Sequence, residues 1–296
     1  MNGIRDSVRN LPTADMLLGY GSGVFTQCGI SYGKSIVDVL AIVKNKELYF
    51  ESLVNRGWIS SSSYWAAHFS NPEITYFANI PISSSTSIKL GVIDSEKCFS
   101  RLNDWGSSFY IPGRLQKPIK IISPFPDPVL RDRFVFAQYL NRRRALVAAV
   151  LALPPECRHS FTLPVLYASL VGLSYMGDIR VGVAENPNKV SNIVSAQLDL
   201  FHGIYDEHLS FAGIVGSNSG YECIFSGDQL WSLLSPDFTK QSIHLIDRRA
   251  SLLATLRKIN ARESLHQAIV GVGTTGITRS GVYLLEKLKK RVGYIS

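Results

Sequence analysis

Polar and apolar positions along the first 125 residues fall into short blocks whose period alternates between strand and helix. Met16 to Tyr20 is an apolar run that stops at Gly21-Ser22-Gly23. Ile36 to Val43 (IVDVLAIV) is β-branched and apolar except at Asp38, which predicts a buried strand with one carboxylate set into it. Lys46 to Asn55 predicts a helix, Ile74 to Phe77 and Ser87 to Ile93 two further strands, and Glu96 to Asp104 another helix. The serine run Ser60 to Ser63 is expected in a loop. Interleaving of this kind predicts an α/β or α+β domain.

The pattern changes at Ser123-Pro-Phe-Pro-Asp-Pro128, where three closely spaced prolines forbid regular structure. A domain boundary is expected there, giving a first domain over 1–124 and a second over 125–265. Beyond it the pattern is mainly helical, with helices expected at Val129 to Leu153, Leu163 to Leu173, Lys189 to Phe211 and Ser242 to Asn260. Short extended pieces are expected at Ile179 to Val183 and Tyr221 to Phe225. A last segment, 266–296, ends in a predicted amphipathic helix, Arg279 to Val292. There Val282, Leu285, Leu288 and Val292 would line one side, with Lys287, Lys289, Lys290 and Arg291 largely elsewhere.

Charge sharpens this division. The chain carries a net +8, and the stretch from Arg248 to Ser296 holds ten Lys/Arg against Glu263 and Glu286, so the remainder is neutral. A basic end of this kind suits a polyanionic partner, nucleic acid or an anionic membrane surface, unless it is only a solvated helix end. Cys28, Cys98, Cys157 and Cys223 form no CxxC pair, which argues against a zinc ribbon or a disulfide framework. The longest purely apolar run, Ala145 to Leu153, falls far short of the roughly 20 residues that a spanning helix needs.

Four places could carry chemistry. Gly21-Ser22-Gly23 follows a strand, and glycines there would let backbone N–H groups and a hydroxyl reach a phosphate, although such turns also occur without ligands. Asp38 would be costly in an apolar strand unless it binds a cation or accepts strong hydrogen bonds; the alternative is a strand-edge residue capping a turn. A Gly-Ser turn followed by an acid-bearing strand is the layout of the polymerase-β-type nucleotidyltransferases, whose acids hold Mg²⁺ against nucleotide phosphates. That layout usually has a second acid on the same strand, where Ile36 and Leu40 stand here. Asp94 is the candidate second metal ligand, or else the N-cap of the following helix. Arg114 and Lys117, in a Gly/Pro-bounded loop, could clamp a triphosphate or remain solvated. Leu173 to Val194 gathers Tyr175, Asp178, Arg180, Glu185, Asn186, Lys189 and Asn192 in one strand-turn-helix stretch.

The order GYGSGVFTQ, IVDVLAIV, KLGVID, IPGRLQKP, LSYMGDIRVGVAEN with KVSNIV, and TTGITRSGVYLLEKLKK resembles one known family. These segments, running from about Tyr20 to Lys290, look like the mitochondrial-type phosphatidate cytidylyltransferases, also called translocator assembly and maintenance proteins. The resemblance implies a polymerase-β-type nucleotidyltransferase domain followed by a mainly helical, winged-helix-like domain, with CTP and Mg²⁺ held between them. It implies transfer of CMP from CTP to phosphatidic acid, giving CDP-diacylglycerol for phosphatidylglycerol and cardiolipin synthesis. Carried over position by position, it implies that Gly21, Ser22 and Gly23 touch CTP phosphates and that Asp38 binds metal. Arg114, Lys117, Tyr175, Asp178, Arg180, Lys189 and Asn192 fall in matched nucleotide-binding stretches, and Asp38, Ser22 and Lys117 are the expected catalytic residues. One departure is Ile59-Ser-Ser-Ser-Ser-Tyr-Trp65, where the family often shows Asn-Pro-Ser-His-Tyr-Ser, so a histidine role there is lost.

The expected partners are CTP and phosphatidic acid in an anionic membrane, with no nucleic acid and with the basic tail as a peripheral anchor. The familiar mitochondrial presequence is missing before the Gly-Ser turn, so either a bacterial relative or a trimmed chain is expected. The bacterial reading, on the cytoplasmic face of the inner membrane, is favoured, and a eukaryotic member would sit on the matrix face of the mitochondrial inner membrane. Two rivals stand beside this reading. One is a nucleotidyltransferase with a nucleic acid or protein acceptor, and the other is a non-catalytic assembly factor, which the missing acid at Ile36 would favour.

Overall fold

The computed structural model describes residues 8, 10–25, 36–82, 87–106, 108–179 and 188–275. The chain folds into two compact units that are not contiguous in sequence. One comprises residues 1–98, 119–132 and 265–296, and the other 99–118 and 133–264. Past the proline-rich stretch Ser123 to Pro128 the chain crosses from the first unit to the second after Asp132. The IPGRLQKP segment, expected in the first domain, belongs wholly to the second unit, and the end of the last helix belongs to the first.

The first unit is built on a five-stranded mixed sheet of order β3-β4-β2-β1-β5. Its strands are β1 (Met16–Tyr20), β2 (Val37–Val43), β3 (Thr75–Pro81), β4 (Ser87–Asp94) and β5 (Lys120–Ser123). Strand β2 is parallel to β4 and antiparallel to β1, so β2 lies at the centre and is apolar on both faces. One face carries Leu17, Val39, Ala41, Leu90 and Val92, packed with Tyr49, Phe50 and Leu53 of the helix Lys46–Asn55. Asn45 caps that helix, accepting from the amides of Glu47 and Leu48. The expected loop at Ser60 to Ser63 is instead the start of a helix, Ser61–Ser70, because the Ser60 hydroxyl caps it by accepting from the Ser63 amide.

Strand β3 is an edge strand whose outward carbonyls need partners. Gln267 donates to the Ile74 carbonyl at 3.0 Å and Thr274 to the Tyr76 carbonyl at 3.0 Å. These residues lie two turns apart on the closing helix, Arg248–Thr275, whose last part thereby closes the sheet edge. At Gly91 a Cβ would stand 2.7 Å from Tyr76 Cε1, so this strand glycine lets the Tyr76 ring lie across β4.

The second unit is mainly helical. The helix Pro128–Ala152 sends its apolar end, Ala145 to Leu153, into a core shared with Leu163–Leu173, Phe201, Tyr205, Trp105 and Phe238. A hairpin of β6 (Ile214–Ser217) and β7 (Gly220–Cys223) lies among the helices. The expected helix Lys189 to Phe211 is interrupted at Gln197, whose φ of −130° is not helical, giving Lys189–Ala196 and Leu198–Tyr205. The expected helix Ser242 to Asn260 starts only at Arg248. Asp247 takes the Arg249 amide at 2.9 Å, while the Ser251 and Thr255 hydroxyls hold the Leu245 and Ile243 amides of the extended approach. It continues past Asn260, whose amide donates to the Leu173 and Met176 carbonyls at 2.9 Å each. Most of the expected strand Ile179 to Val183 and the whole Arg279 to Val292 helix lie outside the described residues. Among the described residues no helix is long and apolar enough to cross a membrane.

Replacing Gly91 by Ala forces the Tyr76 ring off β4 and is expected to cost about 1–3 kcal/mol. Urea unfolding should show a lowered midpoint with an unchanged slope.

Candidate active site

In the first unit, the turn after β1 and the entry of β2 are locked together by the register Tyr20↔Asp38. Gly21 takes φ +74°, and its carbonyl accepts from the Val24 and Phe25 amides at 3.1 and 3.0 Å, so the chain enters a helical turn. The amides at the head of such a turn, here those of Ser22 and Gly23, have no acceptor within it and suit an anion. A Cβ on Gly21 would lie 2.9 Å from Asp38 Oδ2, and one on Gly23 would lie 2.6 Å from the Ile36 carbonyl oxygen. Both glycines are thus required by close approach, and the Asp38 carboxylate faces the turn.

Asp38 is not sunk in the apolar middle of β2. It is the second residue of the strand, and its side chain stays 27% exposed, which lowers the desolvation cost. The register sets it beside Lys89 on β4, with Nζ 3.9 Å from Oδ1. Lys89 also lies 4.5 Å over the Tyr76 ring, and the Tyr76 and Tyr20 hydroxyls share a hydrogen bond of 3.1 Å. Lys89, Tyr76 and Tyr20 were not singled out from the sequence. The signal available was the lone cation at the head of KLGVID, an anomaly of the same kind as Asp38.

Asp94 is not brought to Asp38. It lies five residues beyond Lys89 on β4, roughly 16 Å away at about 3.3 Å per residue, and the odd spacing turns it to the other face. Its carboxylate accepts from the Lys46 amide at 3.0 Å. Asp94 therefore orders the start of the Lys46–Asn55 helix and does not complete a ligand set with Asp38.

The second unit brings together Arg114, Lys117, Tyr175, Asp178 and Lys189. Tyr110–Leu115 is a short helix, not the expected loop. Asn141 holds its Pro112 carbonyl at 3.1 Å, and a Gly113 Cβ would meet Ser174 Cβ at 2.9 Å. Buried Gln116 donates to the Leu170 carbonyl at 2.7 Å and its own carbonyl accepts from Tyr205 at 2.6 Å. On this base Lys117 donates to Ser174 Oγ at 2.8 Å and lies 4.9 Å over the Tyr175 ring, with Lys189 5.4 Å over the same ring. Arg114 stacks 3.4 Å over Tyr110 and lines a small recess with Ser174, Asp178 and Asn260. Gly177, at φ +74°, passes so close to the closing helix that a Cβ would meet the Arg257 carbonyl at 2.4 Å, which fixes Asp178 beside it. Asn192 lies one turn beyond Lys189 and is half-buried. Arg180 lies outside the described residues.

Burial first, then the positive charges of Arg114 and Lys189, push the Lys117 ammonium well below the usual lysine range, against a smaller opposing pull from Asp178. Two lysines over Tyr175, with the Arg114 guanidinium on Tyr110 nearby, make a site that gains by taking a polyanion. Among the described residues no group of three or more His, Cys, Asp or Glu is placed to hold a metal alone. Magnesium is commonly held by one or two carboxylates with nucleotide phosphates and water completing its shell. The Asp38 carboxylate, beside a turn with no room for a Cβ, fits that arrangement.

Residues 4–219 match the family described as mitochondrial phosphatidate cytidylyltransferase. Three proteins of that name are similar along much of the chain. The Schizosaccharomyces pombe protein is 28% identical over 93% of this chain and 80% of its own length. The Saccharomyces cerevisiae protein is 31% identical over 93% of this chain and 66% of its own length. The human protein is 33% identical over 63% of this chain and 41% of its own length. All three are eukaryotic, so the expected bacterial inner membrane finds no support in them.

Two substitutions separate site from scaffold. Gly21→Ala places a methyl against Asp38 and should weaken metal-dependent nucleotide binding by about tenfold or more, read by calorimetry. Lys117→Met should weaken triphosphate binding by a similar factor while holding or raising thermal stability. The sign follows from the lowered pKa: the ammonium's burial cost is fully present below the folded pKa and is relieved as pH rises toward the unfolded value. The stability gain over wild type should therefore be greatest in acid and shrink as pH rises toward the ordinary lysine range.

Proposed function

The chain belongs to the mitochondrial phosphatidate cytidylyltransferase family, and on that premise we propose that it transfers CMP from CTP to phosphatidic acid, yielding CDP-diacylglycerol and pyrophosphate. The observation that carries this reading is the Asp38 carboxylate facing the Gly21–Gly23 turn. A phosphate oxygen of phosphatidic acid attacks the α-phosphorus of CTP, and the bond from that phosphorus to the bridging oxygen of pyrophosphate breaks. The attacking oxygen is already anionic, so positioning and charge stabilisation outweigh any need for a strong base. Ser22 and the turn amides hold phosphate oxygens. Arg114, Lys117 and Lys189 supply positive charge, with Arg114 able to fork across two oxygens. Tyr175 orients both lysines, and Asn192 extends the donor set by one helical turn. Magnesium, held by Asp38 and the nucleotide, would neutralise charge on the departing pyrophosphate.

The five-stranded mixed sheet with its glycine turn supports a polymerase-β-type reading of the first unit. The β6–β7 hairpin among helices supports a winged-helix-like reading of the second. The relatives' names support a mitochondrial membrane as the place of work, because the acceptor is a bilayer lipid.

Pyrophosphate release with Mg²⁺ and phosphatidic acid should be fast with CTP and at background with ATP, GTP or UTP. Asp38→Asn should lower it by on the order of 100-fold or more. Labelled CMP appearing on RNA or protein instead of lipid would refute the assignment.

A further inference from the structure

The helix Ser61–Ser70 keeps Ala67 in the core and turns its largest side chains outward. Trp65 is 51% and Phe69 78% exposed, and their rings stack with centroids 5.4 Å apart. His68 stacks on Tyr64 at 6.0 Å and shares a hydrogen bond of 2.9 Å with the Glu47 carboxylate beside the ridge. An outward Trp-Phe pair one turn apart is unusual on a surface meant only for water.

Two observations say what covers it. The closing helix ends against this same helix: Ser63 Oγ donates to the Thr274 carbonyl at 2.8 Å, and a Gly273 Cβ would touch Ala66 Cβ at 3.2 Å. That part of the closing helix carries Leu265 and Ile269, 52% and 64% exposed, at the four-residue spacing that leads to Gly273. The sequence beyond Thr275 then adds Arg279, Lys287, Lys289, Lys290 and Arg291 against Glu286 alone. The described chain thus leaves off against the helix that carries the aromatic ridge, and the sequence that follows is basic.

We propose that the Trp65–Phe69 ridge is the surface by which this protein rests in the headgroup region of a bilayer containing anionic lipid. Tryptophan and phenylalanine favour that depth, and the basic segment supplies the attraction that apolar contact alone lacks. The proposal rests on the phosphatidate reading, which requires the enzyme to reach a lipid that stays in its membrane.

The test uses the full chain with vesicles of phosphatidylcholine, with and without phosphatidic acid, including lipids brominated along the acyl chain. Trp105 and Trp231 are buried and Trp58 is half-buried, so quenching should come mainly from Trp65 and be lost in Trp65→Phe. The double variant Trp65→Ser/Phe69→Ser should bind anionic vesicles about tenfold or more weakly. It should keep pyrophosphate release on a monomeric short-chain phosphatidate, which shows that it folds. Unchanged vesicle binding by the double variant, or no quenching of Trp65 on bound vesicles, overturns the proposal. Wild-type protein that is quenched at Trp65 yet inactive on the short-chain lipid supports this surface and removes the activity reading instead.

Discussion

A carboxylate held against a glycine turn is the constraint on which the first unit is organised. Asp38 reaches Gly21 only because β1 and β2 pair with Tyr20 opposite Asp38, and because neither Gly21 nor Gly23 carries a Cβ. The turn needs a left-handed residue, the strand needs a close neighbour, and the carboxylate needs a countercharge. Lys89 supplies part of that countercharge at 3.9 Å, with its own ammonium steadied over the Tyr76 ring. At that separation the pair is loose.

The second unit solves a different electrostatic problem. Its cations are assembled on rigid, buried supports: Gln116 and Asn141 tie down the Tyr110–Leu115 helix, and Gly177 presses the Asp178 turn onto the closing helix. Such support lets Lys117 remain where burial and two like charges disfavour its ammonium. Strain of this kind is expected where a scaffold gives up stability for a ligand. The family assignment gives the ligand class, and the geometry gives the reason for these particular residues.

Much of this was legible in the sequence where one local rule governed. The strands at Met16–Tyr20 and Ser87–Asp94 and the helix Leu163–Leu173 follow directly from runs of apolar residues, and Gly21 and Asp38 stood out as exceptions to their surroundings. The reading failed where distant parts of the chain decide. Ser60 looked like loop composition, but its hydroxyl begins a helix that buries Ala67. Asp94 looked like a second metal ligand, but strand parity turns it to the opposite face from Asp38. The proline-rich break lies close to the crossing after Asp132, but local composition gave no sign that Gln267 and Thr274 return about 140 residues later to close the edge of β3. Lys89 was hidden inside a motif read for its apolar residues.

Where the metal sits decides between Asp38 and Asp94. Crystals grown with Mn²⁺ and a non-hydrolysable CTP analogue would report it through the anomalous signal of the ion. The account predicts a peak about 2.1 Å from an Asp38 carboxylate oxygen, beside the Gly21–Gly23 turn. A peak at Asp94, or a nucleotide bound with Asp38 still paired to Lys89 and no ion between them, would contradict it.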